Sequence, residues 1–158
     1  MPAHAPATRP RVVVLGSLNV DLVQTVPHFP APGETVSGGD LHTYPGGKGA
    51  NQAVAVARLG QAVAMIGQVG ADAYGAMLLA SRKNAGVSAG FVRECDQPTG
   101  AATILVAQNG QNSIVVSPGA NGTLTPETAC ASLAEFAPGS LLLCQLETPL
   151  DTVERTLR

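Results

Sequence analysis

The 158 residues carry nine Lys and Arg against eleven Asp and Glu, a formal charge of -2, and only 13% charged residues beside 45% hydrophobic ones. So apolar a chain does not stay disordered, and its length suits one domain. A weakly acidic balance with 3% aromatics offers nucleic acid neither a basic footprint nor a stacking platform. Cys95, Cys130 and Cys144 are odd in number and lack C-x-x-C spacing, so they read as reduced thiols of a cytoplasmic protein. His4, His28 and His42 do not cluster with other ligand types, and no metal site is expected.

Residues 1–10 hold Pro2, Pro6 and Pro10 and no apolar run of signal-peptide length, which predicts a disordered leader. Later apolar stretches are broken by Arg58, Gln61 or Gln145, so no membrane span is expected. Val12 to Leu15 is a β-branched run closed by Gly16, as in a strand buried on both faces of a parallel sheet, and 63–66 closed by Gly67 and 141–144 repeat it. Between them, Ala50, Ala53, Val54 and Ala57 have helical spacing up to Gly60. Ala73, Ala76, Met77 and Ala80 follow Asp72, an N-cap type, with Arg82 and Lys83 near the end. Thr125-Pro126-Glu127 starts a third helix. Strands alternating with helices predict βαβ units in a layered α/β sheet.

Two stretches break the alternation. Val20 to Tyr44 is rich in Pro, Gly and Thr, and Ala101 to Val116 holds two strand-like runs around Asn109-Gly110, a hairpin signal. They predict a small separate β-layer. At the other end, Thr148-Pro149 opens a helix with an apolar stripe of Leu150, Val153 and Leu157, and the chain stops at Arg158 without a cap, as a fragment cut inside an element would.

Chemistry is expected first at Pro45-Gly46-Gly47-Lys48-Gly49-Ala50-Asn51-Gln52, a glycine-rich loop entering a helix, whose free N–H groups suit an anion or an oxygen-rich ligand. It fits neither nucleotide fingerprint. Gly49 follows Lys48 where Ser or Thr is required, and Gln52 occupies the third glycine position of G-x-G-x-x-G. A tight turn that only lets helix pack on strand is the alternative. Asn19 and Asp21 follow the first strand and Glu147 follows the last. Ligands in open α/β sheets bind beyond such strand ends, although Asp21 alone could be a turn former and Glu147 a helix-start carboxylate. If the strands are neighbours, the three converge with Lys48 into donors and acceptors for vicinal hydroxyls. No Ser lies in a G-x-S-x-G elbow, so a hydrolase triad has no support.

Gly16-Ser17-Leu18-Asn19-Val20-Asp21, Pro32-Gly33-Glu34-Thr35, Gly46 to Ala53, Gly70-Ala71-Asp72 followed by Gly75, and Gln145 to Pro149 together resemble the ribokinase-like carbohydrate kinases of the phosphofructokinase-B type. The resemblance covers essentially everything after Arg11. It implies an α/β fold with a Rossmann-like layered sheet and a small β-sheet lid, truncated after its N-terminal half. The domain part would span 11–158, with lid segments at about 20–44 and 101–116. The activity implied is phosphoryl transfer from ATP, with Mg²⁺ and K⁺, to the primary alcohol of D-ribose. Another sugar, a nucleoside, or a noncatalytic sugar-binding fragment are the alternatives. By the same resemblance the substrate is held by Asn19, Val20, Asp21, Gly47, Lys48, Gly49, Ala50, Asn51 and Glu147, and the lid pairs with a second lid in a homodimer.

The sequence departs from the family at its second signature, Asp-Thr-x-Gly-Ala-Gly-Asp, which carries the catalytic base and the anion hole. Gly70-Ala71-Asp72 opens a helix too early in the chain, and Gly119-Ala120-Asn121 has an amide where a base is needed. The resemblance therefore assigns no catalytic residue within this chain and implies that the 158 residues alone give no turnover.

Overall fold

The computed structural model describes residues 12–158, and the leader expected at 1–10 lies outside them. A core sheet is formed by β1 (Val12–Leu15), β4 (Val63–Gly70), β5 (Ser88–Cys95) and β8 (Leu141–Cys144) in the order β5-β4-β1-β8, every pair parallel. Alternation along β1 feeds two cores. Val13 and Leu15 pack with Ile66, Leu124 and Ala129, while Val14 packs with Ala50, Ala53, Met65 and Leu78. Helices α1 (Lys48–Arg58) and α2 (Ala73–Asn84) cover that second face, and α3 (Pro126–Leu133) the first, which makes three layers. The last helix, α4 (Leu150–Leu157), ties its buried Thr152 hydroxyl to the Leu124 carbonyl at 2.6 Å.

Local chemistry explains the helix ends. Asp72 caps α2 by accepting from Gly75 N–H at 2.8 Å, and Thr125 caps α3 by accepting from Thr128 N–H at 3.2 Å. Two features differ from expectation. Strand β4 does not stop at Gly67 but runs on to Gly70. A Cβ at Gly67 would lie 2.6 Å from the Leu18 side chain and 2.8 Å from the Gly16 carbonyl, so this glycine permits close packing rather than a turn. Strand β5 was not anticipated. It is an edge strand bearing Arg93, Glu94 and Gly90, a composition that hides it from a search for apolar runs.

The second sheet has the order β3-β2-β6-β7, with β2 (Asn19–Val26), β3 (Leu41–Gly46), β6 (Gly100–Ala107) and β7 (Asn112–Ser117). Strand β2 leaves the core sheet four residues after β1 ends and pairs antiparallel with β3 and parallel with β6. The β6–β7 hairpin turns at Asn109-Gly110, where Gly110 takes φ +83° and Asn109 Oδ1 accepts from Gln111 N–H at 3.0 Å. Every residue of β7 is exposed. Among the described residues no helix is long and apolar enough to cross a membrane.

Candidate functional site

Because β1 and β8 are neighbours in register, with Leu15 opposite Cys144, the segments that follow them emerge side by side. Gly16-Ser17 leaves one strand and Gln145-Leu146-Glu147 the other. The N-terminus of α1 arrives across both. Ser17 Oγ donates to Glu147 Oε2 at 2.6 Å, the Lys48 N–H donates to the same oxygen at 3.1 Å, and the Lys48 ammonium pairs with Glu147 Oε1. Ser17 also accepts, from Gly49 N–H at Oγ (3.3 Å) and from Ala50 N–H at its carbonyl (2.9 Å). Gln145 supports the turn beneath, donating to the Leu15 carbonyl at 3.3 Å and accepting the Glu147 N–H at 3.1 Å. The first turn of α1 thus hands two of its free N–H groups to Ser17 and a third to Glu147.

The glycines follow from this crowding. Gly47 takes φ +92°, and a Cβ there would also meet the Ser17 carbonyl at 2.7 Å and the Asn19 N–H at 2.8 Å. The Cβ of any residue at 49 would lie 2.7 Å from Gly16 Cα.

Burial tends to raise the pKa of Glu147, but the hydrogen bonds from Lys48 and Ser17 and the Lys48 charge outweigh it and hold the carboxyl below its ordinary range. Asp21 behaves in the opposite way. Burial, and then the negative charge of Glu147, push its carboxyl up. Asp21 is not a turn former, since it is the third residue of β2, and its carboxylate lies so close to Gly46 that a Cβ there would have to displace it.

Asn19, 4% exposed, accepts at Oδ1 from Asn121 Nδ2 at 2.8 Å. Asn121 is 1% exposed and also clasps the Leu18 peptide, accepting its N–H at 2.9 Å and donating to its carbonyl at 3.0 Å. Asn19, Asn121, Val116, Glu147, Thr148 and Pro149 line a cleft of about 390 Å³ at the junction of the two sheets.

Not all the expected residues present a side chain here. Val20 and Ala50 are wholly buried. Asn51 lines a separate hollow between α1 and α2 with Arg58 and Arg82. Three residues were missed. Ser17 and Gln145 stand in the family motifs without a role of their own, and Asn121 is compared only with the family's catalytic base. The one usable signal was the recurrence of Gly-Ala-Asn at 49–51 and 119–121.

The pfkB family carbohydrate kinase profile matches residues 9–157. A ribokinase of Haemophilus influenzae is 44% identical over 147 residues, an overlap of 92% of this chain and 48% of the relative. The crystal structure of a ribokinase from Thermotoga maritima superposes with a TM-score of 0.82 at 38% identity, over 90% of this chain and 47% of that one. The Arabidopsis thaliana ribokinase complexed with ribose and ATP superposes with a TM-score of 0.72 at 30% identity, over 94% and 50%. The chain spans about half the length of these relatives. A family match over nearly all of the sequence, on the α/β architecture of those structures, means that this chain belongs to the pfkB family of carbohydrate kinases.

Proposed function

We propose that the chain is the sugar-holding N-terminal portion of an ATP-dependent ribokinase, which transfers the γ-phosphoryl group of ATP to the primary alcohol of D-ribose. The observation that carries this reading is the convergence of Glu147, Ser17 and Lys48 beyond two adjacent strand ends, beside Asn19 and Asp21. Glu147 Oε2 already accepts two hydrogen bonds and is filled, whereas Oε1 keeps a lone pair beside its ammonium partner. Among the described residues the Asp21 carboxylate takes no hydrogen bond, so its lone pairs are free for a ligand. Asn19 and Glu147 share the cleft, and Asp21 follows Asn19 by two on the same face of β2, so two acceptor carboxylates and an amide donor stand ready for vicinal hydroxyls. The relative complexed with ribose and ATP supports the same substrates.

The residues present fit a sugar better than a nucleotide or a metal. Among the described residues, no three His, Cys, Asp or Glu side chains group closely enough to hold a cation. ATP, Mg²⁺ and a monovalent cation, K⁺, are therefore given to the part of the enzyme that carries the second family signature, with bound ATP supplying the transferred group. Here Asn19, Asp21, Glu147 and the Lys48 ammonium would bind and orient the sugar, the N–H groups of residues 48–50 being already bonded to Ser17 and Glu147, and the lid would exclude water. Exposed Ile114 and Val115 on β7 and Leu41 and Tyr44 on β3 leave apolar strand surface open, and we assign it to a second lid in a cytoplasmic homodimer. Calorimetric titration of D-ribose into the full-length protein, beside a coupled ADP-release assay with ATP, Mg²⁺ and K⁺, is the test. Saturable ribose binding with ribose-dependent ADP release is expected. Binding of a different sugar or a nucleoside with none of ribose would overturn the substrate assignment.

A further inference from the structure

We propose that Asn121 is a positioning residue for sugar recognition that acts through Asn19, a reading that rests on the sugar site above. A primary amide has two N–H donors and one oxygen. Asn121 gives one N–H to the Leu18 carbonyl and the other to Asn19 Oδ1, and its own oxygen receives the Leu18 N–H. It therefore has no donor left for a ligand, although it lines the cleft.

Its effect falls on Asn19. With Oδ1 engaged by Asn121, the end of the Asn19 amide left for the cleft is Nδ2, a donor. Asp21 and Glu147 supply acceptors only, so beside the Lys48 ammonium the side-chain donor offered to a hydroxyl oxygen that must itself accept is Asn19, provided it faces this way round. An Asn19 amide freed from Asn121 could turn over and place a third acceptor in the site. The first residue of β6 guards the same pair from the other side. A Cβ at Gly100 would collide with Asn121 Nδ2 and Asn19 Oδ1 and lie 2.9 Å from the Pro118 carbonyl. The two amides thus sit in a slot closed by the lid strand, at the point where the chain passes from core sheet to lid.

Asn121→Asp keeps the size of the side chain and removes both donors. In the full-length protein it should weaken D-ribose binding about tenfold by calorimetry. The cycle with Asn19→Ala separates positioning from general destabilisation. If Asn121 acts through Asn19, the double variant binds ribose no more weakly than Asn19→Ala alone, while Asn121→Asp lowers the melting temperature in both backgrounds. Gly100→Ala, which displaces the pair without altering either amide, should give the same loss of ribose affinity, again absent in Asn19→Ala, and serves if Asn121→Asp does not fold. Losses of affinity that add in the cycle, or unchanged ribose affinity in a folded Asn121→Asp protein, overturn the proposal. Failure of the unaltered protein to bind ribose is a different result, which removes the sugar reading itself.

Discussion

Ser17 and Glu147, separated by 130 positions in the chain, meet at 2.6 Å between hydroxyl and carboxylate, and through them the ends of β1 and β8 and the start of α1 are joined. Replacing Glu147 by Gln leaves one carboxamide oxygen for two sets of donors, so either Ser17 and the Lys48 N–H lose their shared acceptor or the Lys48 ammonium loses its charged partner. We expect Glu147→Gln to cost the full-length protein about 1–3 kcal/mol. The sign with pH follows from the lowered folded-state pKa. The stabilisation is fully present above the ordinary glutamate value of 4.5 and is lost as pH falls through the folded-state value below it. Denaturant melts of parent and variant should differ at pH 7 and converge under acid conditions. A gap that stays constant with pH would mean that the ionised carboxylate is not what joins the segments.

Gly49 lies inside helix α1, where Ala is ordinarily better by about 1 kcal/mol. Contact reverses that preference, because a methyl at 49 runs into Gly16 backbone atoms at 2.7 Å and the Gln145 amide at 2.5 Å. We expect Gly49→Ala to lower the melting temperature and weaken ribose binding together, since the loop and β1 must separate to admit it. Gly90, with nothing within 4 Å of its Cβ direction and no positive φ, is the control, and Gly90→Ala should be neutral or slightly stabilising. Equal thermal shifts for the two variants would contradict the close approach of α1 to β1.

Arg82 is 2% exposed in the last turn of α2, with Nε and Nη1 unpartnered and only Nη2 reaching Ser81 Oγ at 3.3 Å. Burial pushes its pKa down. Favourable placement near a helix C-terminus is worth about 0.3–1 kcal/mol, which does not offset a buried guanidinium lacking partners. Arg82→Leu, beside Leu78 and Val87 of the core, should therefore stabilise by about 1–2 kcal/mol, seen as a rise of several degrees in melting temperature. A fall would point to a partner for the guanidinium in the full-length protein.

Arg82 also illustrates what a linear reading can and cannot reach. Its position near the end of a helical pattern is legible and suggests a solvated cation, but its burial depends on how α2 leans on its neighbours. The apolar runs that predict strands at 12–15, 63–66 and 141–144 follow from local composition, and so do the caps at Asp72 and Thr125. The convergence of Glu147 with Lys48 was legible conditionally, on β1 and β8 being neighbours. Ser17 and Asn121 were not, because their work is done on partners 130 and 102 positions away and neither sits in a motif that names a bridging role. Gly67 misled for the same reason. A glycine that ends a strand and one that admits Leu18 look alike until the partner is placed.

Asp21 separates the sugar reading from a purely architectural one most directly. Its carboxylate is half-buried, is pushed up by burial and by Glu147, and takes no hydrogen bond among the described residues. Such a group costs the empty fold stability when ionised, so its retention needs a ligand to explain it. Asp21→Asn removes charge assistance from two hydrogen bonds to sugar hydroxyls, at roughly 1.5–3 kcal/mol, or about 10- to 150-fold in ribose affinity. The same change should leave the unliganded protein as stable or more so. A carboxyl with a raised folded-state value loses stability as pH rises through the window above its ordinary 3.8, and the amide does not. Ribose affinity of the parent should fall as pH is lowered into that window, at a higher pH than an unperturbed aspartate would dictate, and the Asn variant should be flat across it. Calorimetric titrations of both proteins over that range, with melts at each pH, decide the matter: a pH-independent parent, or an Asp21→Asn protein that binds ribose normally, would leave Asp21 with no role in holding the sugar.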